Sequence, residues 1–287
     1  MIFLIPAILL SVCVGVIFKE GTTRAWPVVP MLVINYATAT MLAAIQGGGM
    51  PDVSAPSLGL AVIIGVLFIA GYGAFSRATS VAGLARSGGV FRISVVIPIV
   101  FSVTVWDEVI TSLQAGGLSL AFLAFVLMAW PVKRAHEATI HNQSWPWLVL
   151  LFIIGGLADT TVKTFLLAFR DTWTTAELLL VVYGLSGLIG VVWWRTTRKG
   201  SGDPPPHHVG NPWIWAGVLL GLANYGSTWF FLEAVARLPA SIVFPVNHVG
   251  VMTGMALVGM LQFGERPHRL QVAGLLLAAV SLVLLTT

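Results

Sequence analysis

Four charged or titratable residues, and one asparagine beside them, lie in long apolar stretches, where they could bind an anion or carry a proton. Arg92 has no carboxylate within one helical turn along the chain. Asp159 and Lys163 are four residues apart, a spacing that lets them pair along one helix. Asn247 and His248 are adjacent in a later stretch. A charge at the centre of a membrane costs about 2.5–3.5 kcal/mol, so such residues either have a partner or a function.

Each of these groups has a structural and a functional interpretation. Lys163 is either neutralised by Asp159, or faces a cavity and binds an anion while Asp159 tunes it or carries a proton. Arg92 either forms a structural bridge to Asp159 or backbone carbonyls, or offers its planar guanidinium to a carboxylate or phosphate. His248 is either a hydrogen-bonded structural residue or a proton-coupling group, because histidine changes charge near neutral pH.

The composition predicts that these residues lie in a membrane. Hydrophobic residues make up 57% of the 287-residue chain and charged residues 9%, whereas a soluble domain carries about 25% charged residues. Long, nearly uncharged apolar runs indicate membrane-spanning helices, so the fold class is an all-α membrane protein. The ten predicted spans are 2–22, 27–46, 57–77, 81–104, 112–131, 146–169, 173–194, 212–232, 239–262 and 268–286.

A short sequence pattern occurs twice, 157 residues apart, and a long apolar run follows each copy. The chain is therefore predicted to contain a first five-helix repeat at 1–131, a basic linker at 132–145 and a second five-helix repeat at 146–287. Because five is odd, the second repeat enters the membrane from the opposite side, and the repeats are inverted. Inverted repeats are typical of secondary transporters. The matching residues are Glu108, Leu113, Gln114 and Gly117 with Glu265, Leu270, Gln271 and Gly274.

Other residues of the spans suggest where a site could form. Gly88, Gly89 and Pro98 flank Arg92, and Pro245 precedes His248; broken helices near the midplane expose backbone groups to a substrate. Glu108 and Glu265 are interpreted as caps of the helices that directly follow them. Further candidates for hydrogen bonding and aromatic contact are Tyr72, Asn224, Tyr225 and Trp229, although ordinary helix packing uses the same residue types.

Several function classes are unsupported by the residues. Cys13 is the only cysteine, so no disulfide or cysteine-based metal site is expected. No nucleotide-binding motif is present, and the net charge of +4 comes from scattered residues, so we expect no cofactor, no metal and no nucleic-acid partner. The segment Gly184–Gly187 matches the GxSG pattern of intramembrane serine proteases. Such a short pattern arises by chance in a chain with 30 glycines, and we do not expect an enzyme.

The second half resembles the EamA-type domain of the drug/metabolite transporter superfamily. The resemblance implies ten helices in two inverted halves that rock for alternating access, a central cavity lined by spans 3, 4, 8 and 9 with parts of 1 and 6, and cytoplasmic termini. Arg92 and Lys163 are not a shared signature of that family. The resemblance rests on Ala234 to Ser241, Pro245, Phe263 to Arg266, Gln271 and Gly274, and in the first half on Asp107-Glu108 and Gln114 to Gly117.

The distribution of lysine and arginine gives a different orientation. Eleven of these residues lie in the loops after the odd-numbered spans, and two, Arg170 and Arg237, lie on the opposite side. Because basic loops stay in the cytoplasm, the charge count predicts that both termini are outside. We expect a multi-pass protein of a bacterial plasma (inner) membrane.

The leading functional hypothesis is a secondary active transporter that moves a small polar, anionic metabolite by alternating access. Arg92 and Lys163 would hold the anion, and Asp159 or His248 would couple transport to protons. The alternative is a flippase for a lipid-linked or amphipathic substrate that bears a phosphate, with membrane lipid as a partner; the sequence leaves a homodimer open. The other candidate substrate-binding residues are Asn247, Tyr72, Tyr225, Asn224 and Trp229.

Overall fold

The computed structural model describes residues 1–24, 26–47, 53–82, 84–128, 145–198, 211–264 and 267–286. These residues form helices and connecting turns, with no β-strand among them. The helices are α1 (Leu4–Thr23), α2 (Val28–Gly47), α3 (Ala55–Ala82), α4 (Leu84–Ile93), α5 (Val96–Thr104), α6 (Ser112–Met128), α7 (Trp145–Phe169), α8 (Thr175–Arg198), α9 (Pro212–Arg237), α10 (Ala240–Gln262) and α11 (Arg269–Thr286).

The chain is an all-α, multi-pass membrane protein. Eight stretches of the described helices are long and apolar enough to cross a membrane, counting α4 and α5 together. Two predicted spans are not among them: α6 has only 17 residues, and the 26-residue α9 contains three tryptophans and several small polar residues. The predicted total of ten spans therefore stays a prediction.

Large apolar side chains cover the outside of the helices. Leu9, Ile45 and Leu188 are 61%, 70% and 68% exposed. In water, extensive exposed apolar surface would promote association. In a bilayer the same side chains contact lipid tails, so the exposed surface agrees with the predicted membrane environment.

The fourth predicted span is broken, as its proline indicates. Pro98 has no amide hydrogen to donate to the carbonyl of Ser94, four residues earlier, and its ring crowds that carbonyl. The helix is interrupted at Ser94 and Val95, where the amide of Ile97 donates instead to the Ser94 carbonyl at 3.0 Å. Pro245, in contrast, lies inside a continuous α10, so a break near His248 is not observed.

Two compact units make up the chain. The first contains Met1–Ile69 and Thr164–Ala236, and the second contains Ala70–Lys163 and Arg237–Thr287. Each unit combines segments from both halves of the sequence. The compact units are thus a different division from the predicted repeats at 1–131 and 146–287, whose boundaries stay a prediction.

In the first unit, α2 and α8 pack against each other in opposite directions. A Cβ atom added at Gly47, the end of α2, would lie 3.7 Å from Cβ of Ala176 at the start of α8. A Cβ atom added at Gly190, near the end of α8, would lie 3.7 Å from Cγ2 of Val33. Small residues let helix backbones approach closely in membranes, where packing drives helix association.

In the second unit, α6 and α11 pack in the same antiparallel way. A Cβ atom added at Gly117 would lie 2.9 Å from Cγ of Leu285, and one added at Gly274 would lie 2.7 Å from Cγ of Met128. Ser281 Oγ donates to the carbonyl of Gly117 at 2.8 Å. Gly117 and Gly274 are matching positions of the sequence pattern. Each glycine makes a close contact with the helix that carries the other one.

The other matching positions also adopt matching local structures. Gln114 Oε1 accepts a hydrogen bond from the backbone amide of Thr111 at 3.0 Å, and Gln271 Oε1 accepts one from the amide of His268 at 3.0 Å. Each glutamine therefore closes a capping interaction at the start of its helix. Asp107 (φ 53°) and Gly264 (φ 63°) both turn through the left-handed region, which favours glycine or aspartate. Gly264 lies 157 residues after Asp107, at the spacing of the sequence pattern.

We expect a Gly117→Leu substitution to lower the thermal unfolding temperature of the detergent-solubilised protein. The new side chain would collide with Leu285, and overpacking costs about 1–3 kcal/mol. Gly116→Leu is the control, because a Cβ atom there meets nothing within 4 Å. Equal losses in the two variants, measured by a fluorescence melt, would contradict the close α6–α11 contact.

Candidate functional site

A histidine and a carboxylate on two helices of the second unit form a close pair. Nε2 of His248 on α10 lies 3.2 Å from Oδ2 of Asp159 on α7. The His248 side chain is 5% exposed and the Asp159 side chain is 20% exposed. An ionised carboxylate only accepts hydrogen bonds, so Nε2 carries the hydrogen when Asp159 is ionised. This leaves Nδ1 of the ring as the nitrogen that can take up a proton.

Two neighbouring polar atoms on α10 are buried without a hydrogen-bond partner among the described residues. They are Nδ1 of His248 and Oδ1 of Asn247. Leaving such an atom unsatisfied costs about 1–3 kcal/mol, and few buried polar atoms in native proteins are left so. The same unit holds two further atoms of this kind, Oγ1 of Thr79 and Oγ1 of Thr253. A bound polar ligand with both donors and acceptors would satisfy such atoms.

Arg92 lies beside the pair, in the last turn of α4. Its guanidinium carbon is 5.7 Å from the ring centre of Phe91, and that ring centre is 6.1 Å from the ring centre of His248. Arg92 is half-buried and is attracted electrostatically by Asp159. Asp159 is therefore the acidic group that interacts with both basic residues.

Gly155 on α7 allows the break between α4 and α5 to lie close to the part of α7 that carries Asp159. A Cβ atom added at Gly155 would lie 2.7 Å from Oγ of Ser94 and 3.1 Å from the ring of Phe91. Ser94 Oγ itself donates to the carbonyl of Phe91 at 2.7 Å. Because Asp159 follows Gly155 by about one helical turn, the close approach at Gly155 brings the carboxylate toward the same region.

The ammonium group of Lys163 is directed at the backbone. Its Nζ atom donates to the carbonyl of Leu238, in the turn before α10, at 2.8 Å. The residue is only 4% exposed. A lysine bound to a carbonyl group at the end of a helix is a common stabilising interaction. This contact favours a structural interpretation of Lys163.

The two units divide the candidate residues between them. The first unit holds Asn224, Tyr225 and Trp229, and the second holds Arg92, Lys163, His248, Asn247, Tyr72 and Asp159.

In the first unit, the candidate polar residues form hydrogen bonds between helices. Asn224 Nδ2 donates to Oδ1 of Asn35 at 3.2 Å. The Tyr225 hydroxyl group forms a hydrogen bond with Oε1 of Gln46. The ring centre of Trp229 is 5.0 Å from that of its neighbour Phe230. The contacts of Asn224 and Tyr225 are those of helix packing, the second interpretation that their residue types allowed.

Tyr183 is a buried polar residue that the sequence patterns do not single out. Its hydroxyl oxygen lies 2.7 Å from Oγ1 of Thr228 and 3.2 Å from the Asn224 carbonyl, and its ring is fully buried. The only signal in the sequence is a tyrosine in the middle of an apolar span. Nearby, Oγ of Ser186 donates to the carbonyl of Gly65 at 3.0 Å, so the GxSG serine also forms a hydrogen bond between helices.

Glu108 caps a helix, but not the helix that the sequence predicts. Its carboxylate accepts hydrogen bonds from the backbone amides of Ala240 and Ser241 at 2.7 and 3.0 Å and from Oγ of Ser241 at 2.9 Å. It therefore caps α10, which carries His248, whereas Gln114 caps the following helix α6. Asp107 and Pro239 explain the geometry: the first turns the chain, and the second leaves the start of α10 without a side-chain cap of its own. The matching Glu265 lies outside the described residues.

Comparison with known proteins gives the fold without a function. No protein-family model matches the chain. An uncharacterized protein of Haemophilus influenzae is 22% identical over an alignment of 288 positions, gaps included. The alignment covers 95% of this chain and 93% of that protein. A crystal structure of another protein superposes with a TM-score of 0.76 at 15% identity, covering 99% of this chain and 94% of the other. The fold is thus shared with an experimentally determined structure.

We expect Glu108→Ala to destabilise the protein, because the amides at the start of α10 lose their acceptor; loss of a cap costs about 0.5–2 kcal/mol. Glu108→Gln keeps one acceptor oxygen and should recover part of the loss. Thermal unfolding in detergent measures both. Asp171→Ala, at an exposed acidic position, is the control, and an equal loss in that variant would show that the cap is unimportant.

Proposed function

We propose that the chain is a secondary active transporter of the EamA type, in the drug/metabolite transporter superfamily, with ten spans in two inverted five-helix repeats. It moves a small polar, anionic metabolite across a bacterial plasma membrane by alternating access. The observation that carries the proposal is the pair of buried His248 and half-buried Asp159, with Arg92 beside it, in a bundle of membrane helices. Ionisable groups inside a membrane bundle mark substrate and proton pathways.

The packing of the helices supports the inverted repeats. In the proposed repeats α2 and α8 are the second span of each copy, and α6 and α11 are the fifth. Counterpart helices of inverted copies must run in opposite directions, and the contacts of Gly47, Gly190, Gly117 and Gly274 are those of antiparallel pairs.

The position of His248 supports a site near the pseudosymmetry axis that relates the two proposed copies. His248 follows Phe91 by the same 157 residues as the sequence pattern. In an arrangement with two-fold pseudosymmetry, counterpart residues contact each other only near the symmetry axis. The ring centres of Phe91 and His248 are 6.1 Å apart. Transporter sites built from inverted repeats lie at such an axis.

Arg92 is the group that we assign to the anion. A guanidinium group presents two parallel donors to a carboxylate or phosphate. The proposal gives Lys163 a supporting part, because its ammonium group is bonded to the Leu238 carbonyl. Asp159 balances the charge of Arg92 while no anion is bound, and it orients His248 for proton coupling.

A second candidate function is a flippase for an amphipathic substrate with a phosphate. One observation favours it: an open, wholly apolar groove of about 220 Å³ lies next to Arg92 along α4. An acyl chain could occupy the groove while its head group meets the arginine. A water-soluble anion that is transported, and that lipid phosphate does not inhibit, would exclude this alternative. The groove is lined by Val90, Ile93, Leu148, Val149 and Phe152.

We expect Arg92→Gln to reduce anion uptake into proteoliposomes at least tenfold, since a hydrogen bond to a charged group is worth about 1.5–3 kcal/mol. The assay uses labelled lactate, succinate and inorganic phosphate. Arg77→Gln is the matched control, because Arg77 is an exposed arginine of the same unit. Unchanged uptake in the Arg92 variant would remove Arg92 from the substrate site.

The charge count predicts that both termini lie outside the cytoplasm, and we expect alkaline phosphatase fused to the C-terminus to be active. A fluorescent-protein fusion at the same point should be dark. Several of the counted residues, Lys133, Arg134, Lys199 and Arg266, lie outside the described residues. The reverse result would give the cytoplasmic termini that the EamA resemblance implies.

A further inference from the structure

We infer that Nδ1 of His248 is the atom that loads the transported proton, and that the anion is bound between this Nδ1–H group and Arg92. One proton then accompanies each bound anion, which keeps the site neutral when the anion carries one negative charge. The inference rests on the proposed function and assigns its coupling. It starts from a geometric fact: the ring is 95% enclosed, Nε2 is bonded to Asp159, and Nδ1 has no partner among the described residues.

The hydrogen bond to Asp159 determines where a proton can be added. While Asp159 is ionised, Nε2 must be the donor nitrogen, so the lone pair of the neutral ring is on Nδ1. Adding a proton to Nδ1 gives an imidazolium whose new N–H group points to no acceptor among the described residues. The ring charge is stabilised by Asp159, but the new donor is unsatisfied. An oxygen of a bound anion would supply the missing acceptor.

The charges of the site make binding of the proton and the anion mutually dependent. With neutral His248, the charges of Arg92 and Asp159 cancel. An anion added alone leaves one negative charge in excess, and a proton added alone leaves one positive charge in excess; an uncompensated buried charge costs several kcal/mol. Adding both keeps the site neutral. Each ligand therefore raises the affinity of the other by the same factor.

Among the described residues, two charged side chains interact with His248, and Lys163 is a further buried charge one helical turn beyond Asp159. Asp159 on α7 and Arg92 on α4 are the charged groups that interact with it. The described helices α5 and α6 contain no charged residue, and α11 has only the exposed Arg269 at its start. Lys163, one turn beyond Asp159, donates to the Leu238 carbonyl.

Asn247 extends the description of the ligand. Its Oδ1 atom is the second buried atom in this part of α10 that has no hydrogen-bond partner among the described residues. An amide oxygen accepts a hydrogen bond, so it fits a hydroxyl or amine hydrogen near the anionic group of the substrate. The chemical class is therefore an anion that also carries a donor, such as a hydroxy acid, and lactate is a suitable probe.

The test uses the full chain in proteoliposomes with an imposed pH gradient and labelled lactate, succinate and inorganic phosphate as probes. We expect the gradient to drive uptake of at least one probe, with one proton entering per transported anion. His248→Gln keeps a donor for Asp159 but cannot be protonated. It should lose the stimulation by the gradient at least tenfold, and it should also slow exchange of labelled for unlabelled probe, because the anion loses its Nδ1–H donor.

Control variants separate coupling from folding. His268→Gln, at an exposed histidine, should keep the stimulation. Asp159→Asn should shift the pH dependence of uptake to lower pH, because the imidazolium loses its stabilising charge. If His248→Gln does not fold, this acid shift in the Asp159 variant is the deciding measurement, and its absence overturns the inference.

The outcomes distinguish the inference from the proposed function. Uptake that is unaffected by the gradient, or gradient-driven uptake in the His248→Gln variant, overturns the proton assignment and leaves the transporter intact. Absence of uptake of all three probes by the wild-type protein counts against the proposed transporter and against the inference with it.

Discussion

A polar group in the interior of a bilayer has no water to bond with, and this constraint explains most of the polar contacts in the molecule. Asn224 reaches Asn35, Ser186 reaches the Gly65 carbonyl, and Lys163 reaches the Leu238 carbonyl. These contacts join segments that are distant in the sequence. The interactions that satisfy the polar groups therefore also hold the helices of each unit together.

Two adjacent side chains of α10, Asn247 and His248, are exceptions to this pattern, because each has a buried polar atom without a hydrogen-bond partner among the described residues. The helix is held at its start by the Glu108 carboxylate and carries Asn247 and His248 about two turns later. The capped end limits how far the helix can rotate, so the two side chains are held in a defined orientation. Each of these two adjacent buried atoms that has no hydrogen-bond partner costs about 1–3 kcal/mol. A bound ligand accounts for that cost better than packing does.

The helices were predictable from the sequence because their ends are chemically marked. Glycine and proline interrupt the apolar runs, and the break in the fourth span follows from the missing amide of Pro98. The matching Gln114 and Gln271 also predict matching local structure, since a capping interaction involves only neighbouring residues.

Contacts over long distances in the sequence were not predictable in the same way. Glu108 caps a helix that begins 132 residues later, and nothing in its local sequence distinguishes that helix from the next one. The partner of Lys163 is a backbone carbonyl, which every residue has, so no residue type could have indicated it. The partner of Tyr183 is the hydroxyl group of Thr228, 45 residues away on α9, and nothing in the sequence near Tyr183 indicates that contact.

The proposed duplication also explains why the site must be asymmetric. If both copies carried histidine where Phe91 and His248 stand, two titratable rings would meet near the axis, and one proton could not be assigned to one position. Phenylalanine in the first copy instead places an apolar ring beside His248, with the two ring centres 6.1 Å apart. In the first copy the charge is on Arg92, one residue after Phe91 and just before the helix break at Ser94 and Val95. A duplicated scaffold with unlike residues at its axis can therefore provide an anion site and a proton site next to each other, which transport of an anion together with a proton requires.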